Sequence, residues 1–487
     1  MKPLYCNLNQ AASFICILFF IDCLVGLAAP ARDIPKTDAA VVVEAKKKPS
    51  QPWSPKETCN IAQLQGYAPK PDPACDRYGG MTDTRFPATG FFYTTKFNGR
   101  WWLVDPDGHL CVHKAICAVS PGTSERFTQA LAEKFGTERV WAEATTANLK
   151  NLGFNGTGAW STNALLRSTT NPPVYVEIWN FMASYAVARG AAVMGAGNHK
   201  YKEELLPVFD QEFAAYADEY ARRLADTKND PYLLGHFSDN ELPLRPKALD
   251  LCLALPTGAS NHQAALEWLK KRKGKSEITP EDVTAADRDA FFAYYLERYY
   301  SIVSAAIKKY DSNHLYLGSR LIGVTGNETA MRTYAKYADV MSINWYGAWT
   351  LPRATIEQWA AWTDKPFIVS EWYAKGQDAP GLSNESGAGW LVKTQKDRGR
   401  YYQNMTLDLL ASKNCVGWHW FRYADNDPED PTTDPSNRNS NKGIVNVHYQ
   451  PYAELVDQMK QINQQAYRLI EFFDDAFYAD AVNPNQN

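Results

Sequence analysis

Strong charge of one sign is absent from this chain. Its 51 Lys and Arg face 54 Asp and Glu, a net of −3, which gives no reason to expect nucleic acid or an anionic membrane surface as partner. Long apolar runs are absent after the N-terminal stretch, so no later segment reads as a membrane span. Cysteine is scarce, nine in 487 residues, and no Cys-x-x-Cys pair occurs; that spacing argues against a cysteine-ligated metal. Internal repeats are absent too, and no second catalytic domain is indicated.

The one long apolar run lies near the start. Lys2 precedes Ala11 to Ala29, "AASFICILFFIDCLVGLAA", and "PARD" follows. A basic start, a hydrophobic stretch and small residues at its end predict a secretory signal over 1–30, and hence a secreted or periplasmic protein. Residues 31–58, with "EAKKKPSQPWSP", read as a flexible linker rich in Pro, Lys and Ala. Six cysteines remain after the signal. Cys59 and Cys75 flank a Pro-rich segment, a plausible disulfide site in an exported protein, and the others read as buried thiols.

What the chain does have is aromatic residues, 15 Trp and 27 Tyr. Such a surplus fits either a large core or a site for sugars, because a ring offers an apolar face beside a polar edge. Residues 59–110 form an extension in which Asn98-Gly99, between two aromatic-rich runs, predicts a β-hairpin. From there strands and helices alternate. Eight short apolar strands are expected at about 112–119, 154–160, 173–179, 232–238, 315–319, 340–346, 366–371 and 415–421. A helix over Thr137–Leu152 is stopped by Gly153, another runs roughly Phe209 to Asp226, and Thr279-Pro280-Glu281-Asp282 reads as a capping box opening a third. Eight strands interleaved with helices predict an α/β fold, a (β/α)8 barrel over 111–475, with a tail at 476–487.

In such a barrel the functional groups stand at the C-terminal ends of the strands. Strand four ends Asp239-Asn240-Glu241, strand five Ser319-Arg320, strand six Asn344-Trp345-Tyr346, strand seven Ser370-Glu371-Trp372, and strand eight carries Trp418, His419 and Trp420. Two carboxyl groups facing each other across a cleft are what glycoside hydrolysis requires: one gives a proton to the leaving oxygen, the other attacks or activates water. Glu241 and Glu371 meet that need, with Glu241 expected to hold the proton and Glu371 the charge. Asn240 is placed to bond a substrate hydroxyl, Tyr346 to orient Glu371, and Arg320 to contact substrate or to pair with Glu241 or Asp239. Asn344 joins them at the end of strand six. Trp420 reads as a sugar platform, Trp418 as core, and Asp239 as structural. Trp160, His113, His419 and Trp372 complete the expected lining.

The segments "GRWWLVDPDGHL", "LGHFSDNEL", "HLYLGSR", "SINWY", "IVSEWYAKG" and "GWHWFRYAD" resemble blocks of glycoside hydrolase family 50, the β-agarases of clan A. The resemblance implies a retaining (β/α)8 enzyme in which Glu241 matches the acid/base and Glu371 the nucleophile, acting on β-galactosidic linkages of an algal galactan. It implies an oligosaccharide or polysaccharide substrate and no cofactor. A β-galactosidase-like or sulfated-galactan hydrolase, for which Arg320, Lys375 and Arg422 are candidate anion ligands, is the alternative, and a non-catalytic polysaccharide-binding barrel is a third. A metal-dependent barrel hydrolase would want His-x-His ending strand one, whereas His109 and His113 stand four apart.

Overall fold

The computed structural model describes residues 34–36, 41–193, 199–433, 437–478 and 481. The expected signal over 1–30 lies outside them. In chain order the strands are β1 (Val41–Lys46), β2 (Ser54–Thr58), β3 (Tyr93–Phe97), β4 (Arg100–Val104), β5 (Leu110–Cys111), β6 (His113–Ile116), β7 (Gly156–Thr157), β8 (Val174–Ile178), β9 (Ala192–Val193), β10 (Lys200–Tyr201), β11 (Leu233–Phe237), β12 (Leu315–Gly318), β13 (Met341–Asn344), β14 (Phe367–Trp372), β15 (Ala374–Gly376), β16 (Trp390–Val392) and β17 (Cys415–Trp420).

Eight of these make one parallel sheet in the order β12-β11-β8-β7-β6-β17-β14-β13. A parallel bridge between Leu321 and Ile343 joins the two ends, so the sheet is a closed barrel. All eight expected strands are present. Each is buried along its described length apart from the end of β8, as parallel strands covered by crossover helices must be. Val176, Leu234, Leu317 and Ile368 belong to a core cluster within the barrel, and a larger cluster packs barrel strands against helices such as Gln395–Ala411.

Local chemistry explains the element ends. Phe97 pairs with Arg100 across Asn98 (φ 49°) and Gly99 (φ 74°), the two left-handed residues that a tight two-residue hairpin needs. The helix Glu138–Asn151 opens on Thr137, whose hydroxyl accepts from Val140 N–H. The long helix Ala285–Tyr310 starts later than the capping box at Thr279. That box closes only a short 3-10 turn, Pro280–Asp282, and a second box, Thr284 with Asp287, opens the helix.

Two expectations differ from the structure. Within the linker expected at 31–58, residues 41–58 carry the antiparallel pair β1–β2, and β1 pairs in turn with β16. The reason lies in the alternation Val41-Val42-Val43-Glu44-Ala45, which buries Val43 and Ala45 and outweighs the flanking Pro and Lys. Cys59 and Cys75 are free thiols. Cys59 is buried beside the helix 395–411, its N–H donating to Asn404, whereas Cys75 lies in the cavity wall beneath the barrel. No helix among the described residues is long and apolar enough to cross a membrane.

Candidate active site

Five consecutive strand exits along the sheet share a backbone feature. Ala118, Trp160, Asn180, Glu241 and Arg320 follow β6, β7, β8, β11 and β12, and all have φ between 42° and 61°. A non-glycine residue in the left-handed region costs on the order of 1 kcal/mol or more, and such residues gather where side chains must be aimed rather than merely packed. Here the turn directs three of the expected residues, Trp160, Glu241 and Arg320.

Glu241 and Glu371 meet in one hydrogen-bonded cluster. Arg320, expected against substrate, Glu241 or Asp239, is fully buried and pairs with Glu371 instead: it donates from one guanidinium nitrogen to Glu371 Oε2 at 2.8 Å and from the other to Asn240 Oδ1 at 2.7 Å. Asn344 Nδ2 donates to Glu241 Oε1 at 2.8 Å and to Asn240 Oδ1 at 3.2 Å. The Asn344 carbonyl is itself held by the Ser370 hydroxyl at 2.9 Å. Tyr346 donates its hydroxyl to Glu371 Oε1 at 2.6 Å. Burial and the neighbouring Glu371 carboxylate push the Tyr346 hydroxyl well above its ordinary range, so it keeps the proton it donates. Both Glu371 oxygens accept from donors, leaving this carboxylate oriented on two sides.

Asp239 takes a different part. It is fully buried and accepts from Met182 N–H, Ala183 N–H and the Tyr299 hydroxyl at 3.0, 2.9 and 2.6 Å. It thereby ties the start of the helix Phe181–Ala188 to the end of β11, the structural role expected of it. Burial pushes its carboxyl up to about 7.

Trp160 remains partly open, with 37% of its surface exposed. The Arg320 guanidinium lies 4.2 Å from its ring centre, and Phe421 meets it edge-on at 5.7 Å. A flat, partly exposed ring beside the carboxylate cluster suits stacking on a saccharide.

Four expected lining residues are placed elsewhere. From Gly417 onward β17 alternates sides, so Trp418 and Trp420 point out of the barrel together while His419 points in. Trp420 is fully buried, edge-on to Trp372 at 5.2 Å, and donates its indole N–H to Lys442 O; it is core, like Trp418. Trp372 is fully buried and stacks on Tyr402 at 5.2 Å. Its neighbour Tyr373 faces the site instead, edge-on to Tyr346 at 5.3 Å. His113 and His419 bond one another inside the barrel at 2.8 Å. Burial pushes His113 down to about 4 and His419 well below its usual value, so both are neutral packing groups. Lys375 is spent internally on the carbonyls of Asn384, Ser386 and Gly387, and Arg422 donates to Asn426.

One group among the described residues has metal-ligating types in range, His236, Asp311 and His314. Each ring nitrogen already has a partner: His236 bonds Asp311 and Trp179, and His314 bonds Asp311 and Asp230 O. A proton-held network accounts for it without an ion. A cavity of about 490 Å³ opens at the opposite end of the barrel, around Lys114, Asn155 and Tyr232, away from the carboxylates.

Comparison with known proteins adds family context. No family model matches the chain. Over an alignment of 493 residues it is 26% identical to Beta-agarase B of Vibrio sp. (strain JT0107), covering 80% of this chain and 50% of that protein. It is likewise 26% identical over 392 residues to Beta-agarase A of the same strain, covering 71% and 38%. The chain thus spans about half the length of the curated relatives it matches, or less. Among solved structures, BpGH50 superposes with a TM-score of 0.78 at 29% identity, over 89% of this chain and 96% of that one. An exo-beta-agarase, at 24% identity and a TM-score of 0.68 over 82% and 69%, shows the same fold. The chain therefore resembles glycoside hydrolase family 50 in both sequence and fold.

Proposed function

We infer that this chain is a retaining glycoside hydrolase of the family 50 kind, cleaving β-galactosidic linkages of an agar-type galactan. The observation that carries the reading is the joint arrangement of Glu241 and Glu371. They come from strands 130 positions apart, yet Arg320, Asn240 and Asn344 link them through a continuous set of hydrogen bonds.

In the proposed reaction Glu371 attacks the anomeric carbon and a bond forms to its oxygen, while the glycosidic carbon–oxygen bond breaks and Glu241 delivers its proton to the departing oxygen. Glu241 then takes a proton from water, and that water displaces Glu371. The two donors on Glu371, Arg320 and Tyr346, hold it in one orientation before substrate arrives. Asn240 has its carbonyl turned to Arg320 and Asn344, which directs the amide N–H group to the other side. We assign Asn240 to the hydroxyl next to the reacting carbon, whose hydrogen bond strengthens in the transition state. Trp160 offers the sugar its stacking face.

Product analysis by NMR on agarose oligosaccharides tests this reading. The first product formed should carry the β configuration, and Glu371→Gln should lower turnover by about 10³-fold or more, as removal of a nucleophile does. An inverted first product, or near-parental turnover by Glu371→Gln, overturns it.

A further inference from the structure

The hairpin β1–β2 brings a cluster of amines to the rim of this site. Lys47, in the turn of β1–β2, donates to the backbone oxygen of Tyr346, the residue whose hydroxyl holds Glu371. Its Nζ lies 3.8 Å from the centre of the Trp390 ring, and Lys56 Nζ lies 5.1 Å from the same ring. Trp390 is fixed against the loop after β13, donating to Ala348 O at 3.1 Å. Beside them Lys46 and Lys393 stand 4.3 and 5.5 Å from the Trp53 ring.

No carboxylate answers these charges. Among the described residues Lys46, Lys47, Lys48, Lys56 and Lys393 have no ion pair. The register explains part of this: Lys56 pairs with Val43, while Glu57 pairs with Val42 and Glu44 with Pro55. Cross-strand partners share a face and neighbours alternate, so both glutamates stand on the face opposite Lys56. Burial and the charge of Lys56 push the Lys47 amine down to about 8. Beneath it, burial together with Lys48 and Lys47 pushes Lys375 down to about 7. Gathering half-buried amines without an anion raises the free energy of the empty site, and an arriving anion removes that repulsion.

We propose that Lys47 and Lys56 over Trp390 form a subsite for a sulfate ester carried by the saccharide next to the cleavage point. Sulfate suits the set because lysines act as separate point charges, each taking one oxygen of a tetrahedral group, whereas a planar carboxylate favours an arginine fork. Trp390 supplies the sugar face. The proposal rests on the glycoside hydrolase reading and names a substituent that Arg320, Lys375 and Arg422, all engaged within the protein, do not serve.

The test is calorimetric binding to the full chain carrying Glu371→Gln, so that ligand is not consumed. The probes are a galactan oligosaccharide bearing galactose 6-sulfate, its desulfated counterpart, and a uronate-bearing oligosaccharide. The sulfated probe should bind about tenfold or more tightly than the desulfated one, as one charge-assisted contact supplies. Adding Lys47→Gln with Lys56→Gln should abolish that ratio, and the exposed Lys48→Glu, which leaves the hairpin packing alone, should reduce it. Equal binding of sulfated and desulfated probes, a ratio unchanged by these substitutions, or equal preference for the uronate overturns the proposal. Parental turnover separates the two readings. Cleavage of neutral agarose oligosaccharides without sulfate preference defeats the subsite alone. Sulfate-selective binding with no galactan cleaved defeats the reaction alone.

Discussion

Arg320 is the side chain on which the candidate site turns. Its guanidinium spans Asn240 and Glu371 and stands against Trp160, three contacts that need a flat, branched cation. Lysine offers one point charge and cannot bridge both acceptors. Arg320→Lys should therefore lower kcat by about 10²-fold, the loss of one or two charge-assisted bonds, while circular dichroism shows a folded barrel; an unchanged kcat would remove Arg320 from the site. Two tryptophans that look alike in sequence separate by the same reasoning. Trp160, partly exposed, should affect binding: Trp160→Ala raises KM several-fold with little change in the denaturation midpoint, at about 1 kcal/mol for a lost stacking contact. Trp420, buried between Trp372 and Tyr402, should affect folding: Trp420→Ala costs about 3–5 kcal/mol of stability. Equal loss of stability in both would contradict the assignment.

At the scale of elements, strand exits and their first helices do the positioning. Asp239 at the end of β11 receives three donors, two of them from the start of the helix 181–188. An amide at that position must turn its NH2 toward one of those donors, leaving a buried group unsatisfied at about 1–3 kcal/mol. Asp239→Asn should thus lower the urea midpoint and, because Asn240 and Glu241 follow directly, reduce kcat as well. A variant as stable and active as the parent would show that the carboxylate does not tie these elements together. The elements themselves were legible in the sequence. The number of strands follows from short, mostly apolar runs alternating with helical stretches, and the hairpin at Asn98-Gly99 from its turn chemistry. The strand β1 was not legible, because Pro and Lys around it look like a linker and its partner β16 lies more than 300 positions away. Lysines 46–48 read as linker residues in sequence for the same reason.

The closed barrel places neutral histidines at its centre; these oppose the fold as pH falls, whereas a buried, raised carboxyl such as Asp239 favours it over the same range. His113 has a folded value near 4, below the 6.5 of the free side chain. A base held neutral by burial contributes stability that is present above about 6.5 and lost as pH falls through about 4, since the unfolded chain takes up the proton first. His419, pushed down for the same reason and by its neighbours His113 and Arg320, adds to the slope. Urea midpoints measured from pH 7 to pH 4.5 should shift increasingly in favour of His113→Gln over the parent as pH falls; a difference that does not change with pH would show that His113 carries no such linkage.

By itself the sequence determined the ring of eight parallel strands, the two glutamates at the ends of the fourth and seventh, and Tyr346 as the partner of Glu371; that Arg320 pairs with Glu371 and Asn344 with Glu241 came from the tertiary structure. These follow from local pattern, because strand ends and the residues just beyond them are adjacent along the chain. Tertiary structure alone decided which aromatic rings face the cleft, that the two histidines bond each other within the barrel, and that a distant N-terminal hairpin lends its lysines to the rim. Side-chain direction depends on the phase of each strand after its irregularities, and contact between remote segments depends on packing; neither is written in any short stretch of residues.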